Sequence, residues 1–179
     1  GDLRPAEPKD EKQITYGSIS PEEMCRAVSQ TAECAIITEA EQDGIYGHVR
    51  RMYVAAEKDG QLQTSTGSAD DFAAILSDEA VTKYGYDLKF QRNLLKSNGM
   101  ELKGRYMDIE LMHYLINPEK SHKIEILSKT YLGINLEETS AEKAPSESLS
   151  LFDDGPMEED TQADRSKEAA VIMLLGRKV

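Results

Sequence analysis

The order of strand and helix patterns along the chain is what most constrains its fold. Two strand-like runs at residues 49–57 and 61–66 are separated by Lys58-Asp59-Gly60, a short turn signal that predicts a hairpin. A strand-like run at residues 80–84 is then followed by a helical pattern at residues 87–98. A hairpin followed by such alternation predicts an α/β fold, with a mixed sheet and helices on both faces.

Further patterns place more elements around this centre. A strand-like run covers residues 33–39, and Pro21 directly after Ser20 is typical of a helix N-terminus. A last helix is predicted to begin at Thr161 and to continue through residue 175. The shorter predicted elements are helices at residues 70–76, 109–117 and 123–131 and an extended piece at residues 101–106.

The chain of 179 residues suits one domain, which we assign to residues 13–179. Residues 1–12 are polar and aperiodic and are predicted to form a linker arm. Residues 135–160 are rich in Ser, Glu and Pro and predict a mobile acidic loop. This loop holds nine acids against Lys143 alone, which is 8 of the 12 net negative charges. Because the acidity is local, it does not exclude a nucleic-acid partner for the rest of the domain.

Composition and hydropathy predict a cytoplasmic protein. The longest apolar run, residues 169–175, is too short to span a bilayer, and no signal segment opens the chain. Cys25 and Cys34 match no metal-binding spacing, which predicts two buried, reduced thiols. We expect a monomer without a membrane partner. The apolar helical stretch close to Val179 predicts that the chain is a piece of a larger protein.

Several polar positions follow the pattern that two-metal phosphodiester hydrolysis requires. That reaction needs carboxylates around two divalent ions that lie roughly 3.5–4 Å apart. A strand presents alternate residues on one face, and in the first strand these positions are Ile37 and Glu39. The next acid should come from the inward face of a helix, where Gln91 stands, and the last from a C-terminal helix, where Glu168 stands. We expect Ile37 and Gln91 to lie close together.

Longer motifs carry a resemblance to a known family. The stretch GYDLKFQRNLLKSNGMELKGRYMDIELMHYLINPEK, followed by EILSKTYLG, resembles the 3'-5' exonuclease domain of bacterial DNA polymerase I. That family has an hNLKaD motif, a segment beginning with Gly and a YLLNP helix in this order. Weaker matches at ECAIITE and EAAVIMLL extend the resemblance over most of the chain. It implies a ribonuclease-H-like fold, a mixed five-stranded sheet with helices on both faces.

The resemblance also implies which catalytic residues are missing. The family's Asp-x-Glu motif aligns to Ile37, Thr38 and Glu39, so only the second acid is present. The catalytic Asp of the second motif aligns to Gln91, with Asp87 at the position of the motif's Asn. The Tyr-x-x-x-Asp motif aligns to the segment from Asp164 to Glu168, without its Tyr.

These departures predict a catalytically inactive exonuclease-like domain, a structural and interaction module that works with the remaining domains of a polymerase and meets DNA through that parent protein. No cofactor or metal is then expected. The alternative is a weak metal-dependent 3'-5' exonuclease that uses magnesium with Glu39, Asp87 and Glu168. A third hypothesis is a degraded exoribonuclease relative that is unconnected to a polymerase.

Simpler structural roles remain open for the same residues. Glu39 is also interpreted as a solvated acid at a strand end, and Asp87 and Asp108 as helix N-caps. His48, His113 and His122 show no metal-like spacing, and His113 is expected to be partly buried.

A basic stretch on the helix at residues 87–98 has two interpretations. Lys89, Arg92 and Lys96 could contact a phosphate backbone or form a solvated helix face.

One short motif stands inside the predicted acidic loop. The pentapeptide Ser148-Leu149-Ser150-Leu151-Phe152 places three large apolar residues in an otherwise polar segment. It resembles the bacterial sliding-clamp-binding motif, Gln-Leu-(Ser/Asp)-Leu-Phe, with Ser148 in place of Gln. Such motifs bind by filling apolar pockets of a partner, so the sliding clamp is a candidate partner. The alternative is that the loop packs against its own domain.

Overall fold

The computed structural model describes residues 14–41, 47–116, 123–134 and 154–178. Within these residues a single mixed sheet runs in the order β1-β4-β3-β2-β5-β6. Its strands are β1 (Gly17–Ser18), β2 (Glu33–Ala40), β3 (Val49–Lys58), β4 (Gln61–Gly67), β5 (Thr82–Gly85) and β6 (Tyr106–Asp108). The pairs β2–β3 and β3–β4 are antiparallel, whereas β1–β4, β2–β5 and β5–β6 are parallel. The predicted α/β mixed sheet is confirmed, with six strands instead of five because Gly17–Ser18 adds to the β4 edge.

Helices and short helical turns connect and cover these strands. They are α1 (Pro21–Thr31), a 3-10 turn (Asp70–Phe72) that leads into α2 (Ala73–Ser77), α3 (Leu88–Ser97), α4 (Ile109–Ile116), α5 (Ile124–Leu127) that continues as a π-helix (Ser128–Leu132), and α6 (Asp154–Lys178). None of the helices in these ranges is long and apolar enough to cross a membrane.

The start of α6 corrects the predicted acidic loop. The helix begins at Asp154, so residues 154–160 are helical and not part of a loop that ends before Thr161. Acids are favourable near a helix N-terminus, and a proline is tolerated in the first turn, as at Pro156. Residues 135–153 and the predicted arm at residues 1–12 lie outside the described part of the chain.

Local sequence signals explain α1 and the hairpin. Ser20 Oγ accepts a hydrogen bond from the Glu23 N–H at 3.1 Å while Glu23 Oε1 accepts one from the Ser20 N–H, which forms a capping box. Between β3 and β4 the chain turns at Asp59 and Gly60, whose φ angles are 54° and 80°. Two consecutive positive φ angles are what a type I′ hairpin turn requires. The predicted hairpin is therefore confirmed.

Alternation along β2 divides the core into two layers. Cys34 and Ile36 belong to an apolar cluster that includes residues of α1, α2 and α3, whereas Ala35 and Ile37 belong to a cluster that includes residues of α6. Helices therefore cover both faces of the sheet, as predicted. Burial raises the pKa of the Cys34 thiol to about 12. Cys34 and Cys25 are both free thiols, but Cys25 is only partly buried.

A buried lysine side chain on β5 forms hydrogen bonds with the backbone of two neighbouring loops. Lys83 is completely buried, and its Nζ donates hydrogen bonds to the backbone oxygens of Asp78 at 2.7 Å and Lys103 at 2.6 Å. Burial lowers the pKa of the Lys83 ammonium group. Gly104, which follows Lys103 in the chain, has φ 83°, and a Cβ there would lie 2.8 Å from the backbone carbonyl oxygen of Glu79. A side chain at this position would therefore be both strained and crowded against the backbone.

We predict that Gly104→Ala lowers the free energy of unfolding by clearly more than Gly99→Ala. Both glycines have a positive φ, so each alanine incurs the left-handed penalty of about 1–2 kcal/mol. At Gly99 nothing lies within 4 Å of the added Cβ, whereas at Gly104 it meets backbone oxygens. Urea denaturation of both variants measures the difference, and equal losses would contradict the close packing at Gly104.

Candidate functional site

A small cleft of about 160 Å³ lies between β2, α3 and α6. It is lined by Ile37, Thr38, Tyr86, Phe90, Gln91, Arg165, Glu168 and Ile172. Three of these residues, Ile37, Gln91 and Glu168, occupy positions at which the resemblance places catalytic acids. The fold therefore gathers the expected positions at one place, although only one of these three is an acid.

The cleft forms where β5 stops pairing with β2. The parallel register between these strands ends at Ala35↔Tyr84, so β2 continues beyond its partner. Ile37 belongs to the apolar cluster on the α6 face, whereas Gln91 lies on the α3 face. Both border the cleft, because the open edge of β2 joins the two faces there. The two residues border one cleft, but they approach it from opposite faces of the sheet, which differs from the expected facing pair, and the direct contact to Gln91 comes from Thr38.

Gln91 is buried, with 4% of its surface exposed, on the same inward face of α3 as Leu88 and Leu95. Its Oε1 accepts a hydrogen bond from Thr38 Oγ1 at 2.9 Å, and its Nε2 donates one to the backbone carbonyl oxygen of Tyr86 at 3.2 Å. A neutral amide can satisfy both partners at this depth. A carboxylate would need a cation there, because an unpaired buried charge is costly.

Glu39 is not the solvated acid that one interpretation of the sequence expected. Its side chain is 11% exposed, and Tyr53 donates a hydrogen bond from its hydroxyl to Glu39 Oε1 at 3.2 Å. Arg51, which is paired with Glu39 in the β2–β3 register, places its Nε 3.6 Å from the same oxygen. Burial and the Glu39 charge raise the pKa of the Tyr53 hydroxyl to about 12. Its neighbours on strand β3 therefore explain why Glu39 is shielded from solvent.

Arg165 is the site residue that the sequence motifs did not reveal. Its Nε lies 3.9 Å from Glu39 Oε2, and its Nη1 lies 3.2 Å from Glu168 Oε1. Its position three residues before Glu168 on α6 was the available local signal, since such residues are neighbours on a helix. The contact to β2 depends on the tertiary fold. The two acids that the resemblance aligns with family acids thus share one guanidinium group.

Asp87 does not cap α3 with its side chain, in contrast to the sequence interpretation. Its backbone is left-handed at φ 59°, and its carboxylate makes no capping hydrogen bond. It does not line the cleft. Asp108 accepts hydrogen bonds instead, from the Asp87 N–H at 3.3 Å and the Leu88 N–H at 2.7 Å. The β5–β6 register pairs Gly85 with Asp108, which brings this carboxylate to the start of α3.

Asp108 also caps its own helix, as predicted. Its Oδ1 accepts hydrogen bonds from the Glu110 N–H at 2.9 Å and the Leu111 N–H at 3.2 Å. One carboxylate therefore serves the N-termini of both α3 and α4.

The remaining candidates lie away from the cleft or outside the described residues. Lys89, Arg92 and Lys96 are exposed along α3, which fits either phosphate contact or a solvated face. The Arg92 guanidinium lies 5.9 Å from the ring centroid of Tyr106. His113 is buried, with its ring edge-on to Tyr131, whereas His48 is exposed. His122 and the pentapeptide at residues 148–152 lie outside the described residues.

The residues at the cleft do not fit the divalent ions that the resemblance implies for an active nuclease. In the part of the chain that the structure describes, no group of three or more His, Cys, Asp or Glu side chains could hold a metal ion. Ile37 offers no ligand, the amide of Gln91 is already bonded, and Glu168 pairs with Arg165. Glu39 does not line the cleft and faces the same arginine.

A larger hollow, of about 780 Å³, lies between the β1–β4 edge and the π-helix. Tyr16, Leu62, Tyr131, Ile134 and Leu174 are among the residues that line it. The hollow is bordered by none of the four positions at which the resemblance places catalytic acids, which are Ile37, Glu39, Gln91 and Glu168. Its size therefore does not make it the candidate site.

Comparison with a family of known proteins identifies the domain. The sequence model described as DNA polymerase I, ribonuclease H-like domain, matches residues 38–139, which is more than half of the chain. The chain belongs to this family. It is therefore a 3'-5' exonuclease-like domain of the DNA polymerase I family, as the motifs predicted. The comparison with curated protein sequences finds no match.

Solved structures show the same fold at low sequence identity. Trypanosoma brucei RNase D in complex with GMP is 15% identical with a TM-score of 0.66, over 90% of this chain and 56% of that one. The POL domain of Pol1 from M. smegmatis, in complex with DNA primer-template and dNTP, is 19% identical with a TM-score of 0.56, over 89% of this chain and 26% of that one. Escherichia coli RNase D is 18% identical with a TM-score of 0.54, over 75% and 36%. This chain thus spans between a quarter and about half of these proteins.

We predict that Asp108→Asn destabilises the domain by about 1–3 kcal/mol, because one acceptor oxygen is replaced by an amide donor that faces backbone N–H groups. The matched variant Asp87→Asn should change stability by less than about 0.5 kcal/mol, since asparagine tolerates the left-handed backbone and the carboxylate makes no capping bond. Thermal and urea unfolding of both variants measure the difference. A larger loss for Asp87→Asn would show that α3 is capped locally after all.

Proposed function

We propose that this chain is a catalytically inactive 3'-5' exonuclease-like domain of a bacterial DNA polymerase I, and that it acts as a structural and interaction module in DNA replication and repair. The observation that carries the proposal is the cleft between β2, α3 and α6. Ile37 and Gln91 stand there in place of two acids, and the Gln91 amide is held by Thr38 and Tyr86.

The chemistry of the cleft supports this proposal. Two divalent ions activate a water and stabilise the leaving oxygen only when several carboxylates hold them. At this cleft Thr38 and the Tyr86 oxygen satisfy Gln91, Ile37 contributes an apolar wall, and Arg165 neutralises Glu168. These side chains fill and neutralise the place at which a nuclease would bind its ions.

The second candidate function is a weak exonuclease that uses Glu39, Asp87, Glu168 and magnesium. The geometry gives it less support. Asp87 and Glu39 do not line the cleft, and Glu39 and Glu168 pair with arginines. An activity measurement distinguishes this second candidate function from the proposed one.

We predict that the purified chain releases no nucleotides from 5'-labelled single-stranded DNA with magnesium or manganese. The reason is the loss of carboxylates at Ile37 and Gln91. The double variant Glu39→Ala/Glu168→Ala, prepared in the same way, is the matched control for contaminating nuclease. Metal-dependent release by the parent chain, lost in the double variant, would establish the rival function. Equal traces in both proteins would point to contamination and leave the proposal standing.

Membership of the polymerase family supports a set of partners. We infer that the remaining domains of a polymerase adjoin this one, and that DNA is met through that parent protein in the cytoplasm. The exposed face formed by Lys89, Arg92 and Lys96 could add a contact to a phosphate backbone. The domain itself is proposed to be a monomer that needs no cofactor.

We further propose that the pentapeptide from Ser148 to Phe152 binds the bacterial sliding clamp. Its support is the motif itself, with Leu149, Leu151 and Phe152 inside an acidic segment. Burying these side chains supplies roughly 1.5–3 kcal/mol each, and ordering the segment costs about 2–5 kcal/mol. The difference is at best about -7 kcal/mol, which corresponds to a dissociation constant of roughly 10 μM.

Titration of the chain against a sliding clamp tests this proposal directly. We predict measurable binding for the parent chain and none for Leu151→Ala/Phe152→Ala. Acids dominate the flanking sequence, so DNA should not compete for the segment. Indistinguishable binding of the two proteins, or none by either, would refute the proposal.

A further inference from the structure

Arg165 stands where the family's chemistry would require a cation. It lies on α6, one position after Asp164, which the resemblance aligns with the Tyr of the third motif. We propose that the Arg165 guanidinium serves as the built-in counter-ion of the degenerate site, in place of the divalent ions of an active nuclease. This inference rests on the proposed function, because it presupposes that the site no longer binds catalytic metal.

The contacts of Arg165 join the same elements that a metal ion would join. One side of the guanidinium faces Glu39 on β2 at 3.9 Å, and the other faces Glu168 on its own helix at 3.2 Å. These are the two acids that remain from the family pattern. A single fixed positive charge therefore connects the strand that carries the first motif to the helix that carries the third.

Local charge balance explains why a dication would gain little by entering. Glu39 is held by Arg51 and by the Tyr53 hydroxyl as well as by Arg165. Two acids therefore face two arginines, which leaves no excess negative charge to attract a divalent ion. Magnesium also requires oxygen ligands at about 2.0–2.1 Å in octahedral geometry, and a guanidinium group between the carboxylates blocks that approach.

The partial exposure of Arg165 limits the strength of each contact but not its availability. Its side chain is 38% exposed, whereas that of Glu39 is 11% exposed. Solvent screening weakens the ion pair with Glu168 most, because both partners reach the surface. The contact with Glu39 matters more, since this carboxylate would otherwise be a mostly buried charge with Arg51 as its remaining ionic contact among the ion pairs described here.

We expect the presence of Arg165, and not only the absence of acids at Ile37 and Gln91, to make the stability of the domain insensitive to divalent cations. Without the guanidinium, Glu39 and Glu168 regain a net negative charge and should respond to a divalent cation. Arg165→Met removes the charge but keeps most of the side-chain volume. Arg165→Lys keeps the charge. Arg26→Met, at an exposed arginine on α1, makes the same change in net charge away from the cleft.

Thermal unfolding of the parent chain and these three variants, in EDTA and in millimolar MnCl₂, is the test. We expect Arg165→Met to unfold about 2–4 °C below the parent in EDTA and to recover part of the loss in MnCl₂. The parent, Arg165→Lys and Arg26→Met should shift little with manganese. Adding Glu168→Gln to Arg165→Met should remove the response. A response equal in all proteins, or none in Arg165→Met, would overturn the inference.

A second measurement needs no variant. In the parent chain, paramagnetic manganese should not selectively broaden the amide resonances of Thr38 and Glu39. Selective broadening there would show that the cation site is open and would overturn the inference even if Arg165→Met failed to fold. The nuclease assay separates the two proposals, because activity of the parent chain refutes the proposed function. An inactive parent whose Arg165→Met variant ignores manganese refutes only the role of Arg165.

Discussion

Helix α6, laid along strand β2, is the constraint on which the sheet and the cleft both depend. Arg165 contacts Glu39 near one end of the strand, and Arg177 contacts Glu33 at the other, so helix and strand run in opposite directions. The two arginines are about 18 Å apart along a helix, and the two glutamates about 20 Å apart along a strand. The spacing of the two ion pairs along α6 therefore matches their spacing along β2. At the far end, a side chain at Gly176 would collide with the ring of Tyr84, which shows how closely the helix approaches β5.

This placement of α6 brings an apolar layer and a charged end together. Between the two arginines, a buried run that includes Val171, Ile172 and Met173 packs with the cluster on that face of the sheet. Burial of such side chains supplies most of the stabilisation, at roughly 1.5–3 kcal/mol each. The partly exposed ion pairs add less, and their spacing matches the register in which the helix lies along the strand. Because Glu168 lies in the same helix, that register also decides which residues face the cleft.

The elements that follow local rules could be predicted from the sequence, and those set by distant neighbours could not. The hairpin follows from Asp59-Gly60, and the burial of Gln91 follows from its helical spacing with Leu88 and Leu95. By contrast, Asp87 matches the local pattern of a helix cap, yet Asp108 arrives from β6 through strand pairing and takes that role. Glu39 likewise ends a strand, but Arg51 and Tyr53 on the neighbouring strand enclose it.

The neutral and charged parts of the cleft are physically coupled. A buried ionised carboxylate is costly unless a cation or hydrogen-bond donors accompany it, so acids that are gathered in a cleft without metal need another positive partner. An amide at Gln91 escapes this cost because it accepts from Thr38 and donates to the Tyr86 oxygen, a pair of bonds that a carboxylate could not make. Ile37 escapes it by joining the apolar layer under α6. Glu39 and Glu168 remain as acids, and they are the two that Arg165 reaches. The two acids at positions that the resemblance aligns with family acids are thus the two within reach of one guanidinium group.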